Sequence, residues 1–251
     1  MATITHLYRY PVKGLSAQTL EHVTLTAGEA IPFDRKFALA LSTTDFDPKC
    51  PKHLPKTKFL MLMKNERLAA LNTVFDEDTQ KLEIYLEGAK QVEGYLNRQV
   101  DYLGIEQFFA NYLANEIQGT PRLVQATGHM FSDVDAKVLS FINLASIRDL
   151  ETVLNTSIDP LRFRANVYFD NLPAWEELTW ENQTVTIGTA KFAFLKPTQR
   201  CAATNVNPTT AMRDLNLPNT LVKTYGHPYM GVYLKVIEGG KITTGQNFNV
   251  T

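Results

Sequence analysis

The chemistry of this chain concentrates around one thiol and a few scattered cations. Cys201 is one of two cysteines in 251 residues. It follows Arg200 and lies between an apolar stretch, Phe192 to Leu195, and a polar loop that ends at Pro208. A thiol beside a fixed positive charge holds its thiolate form and can bind a soft metal or react. The alternative role for such a cysteine is that of a small buried hydrophobe. Other cations stand at the ends of β-prone segments: Lys13 in Pro11-Val-Lys-Gly14, Arg35 in Asp34-Arg-Lys36, and Arg164 in Arg162-Phe-Arg-Ala-Asn166. Arginine offers phosphate a planar fork of donors, and lysine a point charge. If these strand ends converge, they form an anion pocket with a thiol at its edge. Taken singly, each cation also reads as a carboxylate anchor or a cover for apolar surface.

Other familiar sites are absent. The sequence has no GxxxxGK[ST] loop, GxGxxG fingerprint, HExxH helix, paired CxxC or GxSxG elbow. The five histidines, His6, His22, His53, His129 and His227, fall at no metal-ligand spacing and read as structural. Cys50 and Cys201 lie too far apart for a zinc or redox motif and suggest no disulfide framework.

Short strands account for most of the chain that must position these groups. Thr3 to Tyr10 is β-prone, and period-2 patterns run through Val23 and Leu25, Phe37 to Leu41, and Leu82 to Leu86. Strands at this density predict a barrel or a strongly curled sheet. The loop from Ser42 to Lys58 carries three prolines and several lysines, which argues against regular structure there and makes it a candidate lid or docking patch. Tyr102, Ile105, Phe109 and Leu113 predict an amphipathic helix stopped by Gly119-Thr-Pro121. A second helix is expected near Ser146, with Ser146 as its cap. Strands follow at Phe163 to Phe169, Thr184 to Ile187 and Lys191 to Leu195. A hairpin is expected from Val232 through Gly239-Gly240 to Thr244. A short helix is expected over Thr209 to Leu217, ended by Pro218. The resulting fold class is mainly β with accessory helices (α+β), in two β-rich units over 1–118 and 119–251.

Hydrophobic residues make up 44% and charged residues 20%, with a net charge of −1. Such a composition suits a soluble globular protein and gives no general attraction to nucleic acid or anionic membrane. The amino terminus lacks the basic and apolar regions of a signal peptide, and no apolar run reaches the roughly 20 residues of a membrane span. The expected compartment is the cytoplasm.

The ordered motifs carry a family resemblance. Tyr8-Arg-Tyr-Pro-Val-Lys-Gly14, Phe33-Asp-Arg-Lys-Phe37, Leu144-Ala-Ser-Ile-Arg-Asp-Leu150, Arg162-Phe-Arg-Ala-Asn166, Arg200-Cys-Ala-Ala-Thr-Asn-Val-Asn-Pro208 and Gly240-Lys-Ile-Thr-Thr-Gly245 occur in the order of the MOSC family. The chain thus resembles a MOSC β-barrel domain preceded by the N-terminal β-barrel domain that often accompanies it. Relatives include the mitochondrial amidoxime-reducing component and bacterial reductases of N-hydroxylated bases. The resemblance implies a molybdenum cofactor, with Cys201 as catalytic metal ligand and Lys13, Arg35, Ser146, Arg164, Asn166 and Arg200 as cofactor-binding residues. Asp133 and Asp135 are candidates for proton delivery. The implied activity is reduction of small N-hydroxylated compounds. Because the chain ends without an iron–sulfur domain, its electrons are expected from a separate ferredoxin-, flavin- or cytochrome-type protein. Two other roles fit the same pocket: a cofactor or sulfur carrier, with Cys201 bearing a persulfide, and a metal-free binding module. The chain departs from the family pattern at Ala165, Asn207, Ala211 and Gln246, where Pro, Asp, Gly and Asp are usual.

Overall fold

The computed structural model describes residues 1–251. In chain order, β1 (Ala2–Arg9), β2 (Gln18–Leu20), β3 (His22–Leu25) and β4 (Phe37–Ala40) precede the proline-rich loop. β5 (Leu71–Asp76), β6 (Lys81–Leu86), β7 (Ala89–Tyr95), α1 (Tyr102–Tyr112) and β8 (Arg122–Gln125) follow it. Next come β9 (Leu139–Asn143), α2 (Leu144–Leu154), β10 (Val167–Asp170), β11 (Thr184–Ile187) and β12 (Ala190–Gln199). The chain closes with α3 (Leu217–Tyr225), β13 (Tyr229–Glu238), β14 (Gly240–Thr243) and β15 (Asn247–Val250).

Seven strands close into a barrel in the order β10-β9-β13-β12-β11-β15-β1, with β1 pairing back onto β10. Its interior holds Ile4, Leu7, Phe141, Phe169, Trp180, Phe192 and Phe248, all 2% exposed or less. Each such side chain contributes about 1.5–3 kcal/mol by leaving water. Along β1 the inward positions shift from Ala2 and Ile4 to Leu7 and Arg9, because the register slips between Ile4 and His6. A bulge of this kind exchanges the two faces of a strand.

The second unit is a three-stranded antiparallel sheet, β5-β6-β7, against which α1 packs Tyr102, Ile105 and Phe109. Beside it β4 pairs with β8. A division at residue 118 is linear, and the strands cross it. β1 is a stave of the large barrel, and β3 pairs with β14 near the other end of the chain.

Four local expectations are corrected. β14 follows Gly239 but pairs with β3, so the glycine pair does not turn a hairpin. These glycines permit close approach instead: a Cβ on Gly239 would lie 2.6 Å from Leu25 O, and one on Gly240 2.4 Å from Thr189 Oγ1. Pro218 sits in the first turn of α3 and opens that helix, where its missing N–H costs nothing. The cap of α2 is Asn143, whose side chain accepts from Ala145 N–H, and Ser146 lies inside the helix. Residues 160–163 form a 3-10 turn, and β10 begins only at Val167. No helix is long and apolar enough to cross a membrane.

Candidate functional site

The strand ends do converge. A cleft lies between the two units, and Lys13, Arg35, Asn166, Arg164, Arg200 and Cys201 all line it. Lys13 arrives at the end of β1, where the chain turns to bridge Val12 with Phe37. Arg35 and Arg164 occupy left-handed turns, at φ 48 and 52, in the segments that lead into β4 and β10. Asp34 holds the first turn by accepting Tyr10 N–H and pairing with Arg35. Both guanidinium groups stack over the Tyr10 ring, at 4.5 Å for Arg35 and 4.3 Å for Arg164.

The cations differ in how far the protein satisfies them. Arg35 donates to Arg164 O at 2.8 Å and to Asn166 Oδ1 at 3.3 Å. Arg200 is spent on the backbone, donating to Met230 O and Phe163 O. Asn166 is likewise engaged, accepting from Ser140 and donating to Tyr8 O. Arg164 alone makes no ion pair and donates no hydrogen bond from its side chain. Burial, with the like charge of Arg35, lowers its pKa to about 10, so it remains cationic at neutral pH.

The cleft that holds Cys201 also holds two lysines and a carboxylate. Lys13 donates to Phe131 O at 3.0 Å and to Asp133, and Lys56 lies 3.5 Å from Asp133. Burial disfavours ionisation of Asp133, but Lys13, Lys56 and Arg35 outweigh it and hold its pKa at about 2. Asp133 is therefore a fixed anion and a poor proton source. Burial pushes the Lys13 ammonium down, despite Asp133. Burial acts on Lys56 in the same sense, but Asp133 and the neighbouring Cys201 reverse it and raise that lysine. Lys56 belongs to the proline-rich loop and was not singled out by the sequence. Its only signal is a position directly after Pro55, where a 3-10 turn begins. Asp135, Cys50 and the five histidines do not line the cleft.

Ser146 is placed elsewhere. It is buried in α2, with its hydroxyl 3.0 Å from both Glu177 carboxylate oxygens and accepting Trp175 N–H at 2.8 Å. The departures from the family pattern have local partners. Ala165 N–H donates to Tyr168 O–H, which a proline could not do. Asn207 accepts from Thr209 N–H as an aspartate would, and its amide donates to Asp214 at 2.7 Å, where a carboxylate would be repelled. Ala211 takes a left-handed φ of 56, a conformation that glycine adopts without strain. Gln246 accepts from Thr243 N–H in the turn before β15 and does not line the cleft.

In all, six cations line the cleft: Lys13, Arg35, Lys56, Arg162, Arg164 and Arg200. Three carboxylates face them, Asp34, Asp133 and Asp214. The balance is an excess of three positive charges with Cys201 as thiol, or two with it as thiolate. No three His, Cys, Asp or Glu side chains are grouped to hold a metal ion. The cleft thus offers one soft ligand and walls suited to an anion. An adjoining hollow shares Arg162 and Arg164 and is lined by Leu15, Leu68, Leu71 and Val206.

Fold and cleft together define a two-domain β-barrel protein with a thiol-bearing, cation-lined cleft between its domains. Residues 1–116 match the MOSC N-terminal beta barrel domain and residues 127–249 the MOSC domain, so the chain belongs to the MOSC family with both domains in tandem. It is 29% identical over 160 residues to a molybdenum cofactor sulfurase of Drosophila ananassae, covering 59% of this chain and 20% of that one. It is 26% identical over 168 residues to mitochondrial amidoxime reducing component 2 of Macaca fascicularis, covering 55% and 49% respectively. The chain therefore matches between a fifth and a half of the length of these relatives. Among solved structures, the YUAD protein of Bacillus subtilis aligns over 100% of this chain and 96% of its own, with a TM-score of 0.47 and 12% identity.

Proposed function

We propose that this protein binds a molybdenum cofactor and reduces small N-hydroxylated compounds with electrons from a separate donor protein. The observation that carries the reading is a single thiol set in a cleft with excess positive charge. One thiolate is too few ligands to hold a free metal ion, yet it completes the shell of a metal that arrives already chelated by an anionic cofactor. The names of the sulfurase and amidoxime-reducing relatives support that class of ligand. The fit is also chemical: Arg164 has no anion, and two buried polar atoms in the cleft, Arg162 Nε and Thr198 Oγ1, have no partner.

In this reading Cys201 supplies the protein's bond to the metal. Arg164, Arg35 and Lys13 hold the phosphate-bearing end. The two stacked guanidinium groups are already ordered over Tyr10, so little freedom is lost when the anion binds. When bound, the cofactor supplies a two-electron centre able to take up an oxygen atom. Reduction of an N–OH group consumes two electrons and two protons and releases water. Lys56, beside Cys201, keeps a positive charge against the thiol, and Asp133 holds it in place. The adjoining apolar hollow gives a substrate's carbon skeleton somewhere to lie.

The test is molybdenum and pterin content after expression in a cofactor-competent host, for the wild type and Cys201→Ala. The expected result is near-stoichiometric metal in the wild type, its loss in the variant with an unchanged melting temperature, and amidoxime turnover by the wild type with an artificial donor. Metal retained by Cys201→Ala would remove the proposed ligand. A wild type that stays empty in a host that loads a known relative would overturn the reading.

A further inference from the structure

Two buried side-chain polar atoms in the protein lack a partner, Arg162 Nε and Thr198 Oγ1, and both residues line the Cys201 cleft. Buried polar groups in native proteins are nearly always paired, so an orphan calls for an account of its own. Arg162 has one in part. Its two terminal nitrogens reach Asn205 O at 3.1 Å and Asp214 at 2.8 Å, and Nε is left over from a group placed by those contacts. Thr198 has no such excuse. It is 2% exposed, and its hydroxyl is free to rotate toward any acceptor in reach.

The strand geometry explains how it got there. The pairing of β12 with β13 runs Pro197 to Val232 and then Gln199 to Tyr229, so Met230 and Gly231 both stand opposite Thr198. Two residues against one is a β-bulge, a device that re-aims a side chain and recurs beside functional sites. Gly231 permits it. Its φ is 71, and a Cβ there would lie 2.4 Å from Phe141 O. The bulge stands three residues before Cys201, on the strand that delivers the thiol.

We infer that Thr198 is a positioning residue for the ligand of this cleft, its hydroxyl donating to an acceptor oxygen of a phosphate-type anion. The inference rests on the anion-binding reading above. The other unsatisfied groups of the cleft, Arg164 and Arg162 Nε, are donors, and Asp133 is held by two lysines, so the missing partner is an acceptor. A buried hydroxyl that waits for a ligand has an unusual signature: its removal weakens binding and leaves the empty protein no less stable.

The experiment uses the full chain with Thr198→Val, which keeps shape and removes the hydroxyl, and Thr198→Ser, which keeps the hydroxyl. Melting temperature is read without ligand, and affinity for inorganic pyrophosphate is read by calorimetry. Thr198→Val is expected to melt at or above the wild-type temperature and to bind pyrophosphate about tenfold more weakly. Thr198→Ser is expected to bind like the wild type. Unchanged affinity in Thr198→Val, or a drop of several degrees in its melting temperature, overturns the assignment. If the wild type binds pyrophosphate and Thr198→Val does so equally, only Thr198 is removed. If the wild type binds none, the anion-site reading falls and takes this role with it.

Discussion

Glu177→Gln separates the burial of a carboxyl from every other contribution to stability. Glu177 lies in the 3-10 turn Glu176–Thr179, fully buried, with both oxygens against Ser146 in the first turn of α2. Burial raises its pKa from 4.5 to about 7, against hydrogen bonds from its own backbone, Ser146 and Asn143 that favour the charge. Below pH 4.5 the carboxyl is neutral in both folded and unfolded chains, and its contribution is fully present. As pH climbs, the unfolded chain ionises first, and stability is lost until the folded carboxyl also ionises near pH 7. At about 1.4 kcal/mol per pH unit, that interval amounts to roughly 3 kcal/mol. Glutamine keeps the size and one acceptor oxygen and does not titrate. Urea unfolding at a series of pH values, read by the fluorescence of the core Trp180, gives the difference between variant and wild type. The stability of Glu177→Gln relative to wild type should climb steadily from pH 4.5 to 7 and level off above. A difference that stays flat across that interval would refute the reasoning, since the carboxyl would then titrate alike in both states.

Arg164→Asn keeps a residue that tolerates the left-handed turn and removes the unpaired charge; it should fold with a loss of at most about 1–2 kcal/mol from the Tyr10 stack. Its affinity for pyrophosphate should fall at least about tenfold, and calorimetry showing wild-type affinity would contradict the anion site. Ala165→Pro deletes the N–H that Tyr168 O–H accepts in a buried position, and should lower unfolding free energy by about 1–3 kcal/mol in urea titration.

The chemistry-bearing residues were more legible than the surfaces between them. Cys201, Lys13, Arg35 and Arg164 were readable because each stands at a strand end beside residues that punctuate the chain, and strand ends are where distant segments meet. Lys56 was not readable, because several lysines share its loop and nothing local says which turns inward. Arg200 and Asn166 do reach the cleft, but composition cannot reveal that their polar atoms are consumed by Met230, Phe163, Ser140 and Tyr8. Ser146 sits so near the start of α2 that a cap and an interior residue look alike in sequence; the contact with Glu177, 31 positions away, decides between them. The Gly239-Gly240 pair misled for a related reason. A glycine signals either a turn or a close approach, and only the position of β3 distinguishes the two.

The barrel closes on its first residues, with Ala2 opposite Phe248 and Thr3 opposite Asn247. This has a consequence for biosynthesis. β1 and β15 are neighbours in the wall yet lie at opposite ends of the barrel's own sequence, so β1 is made long before its partner. Until β15 has been synthesised, the seam between β1 and β11 stays open. β1 must wait with part of one edge unpaired, and the barrel's closure is set by the last of its strands to be made.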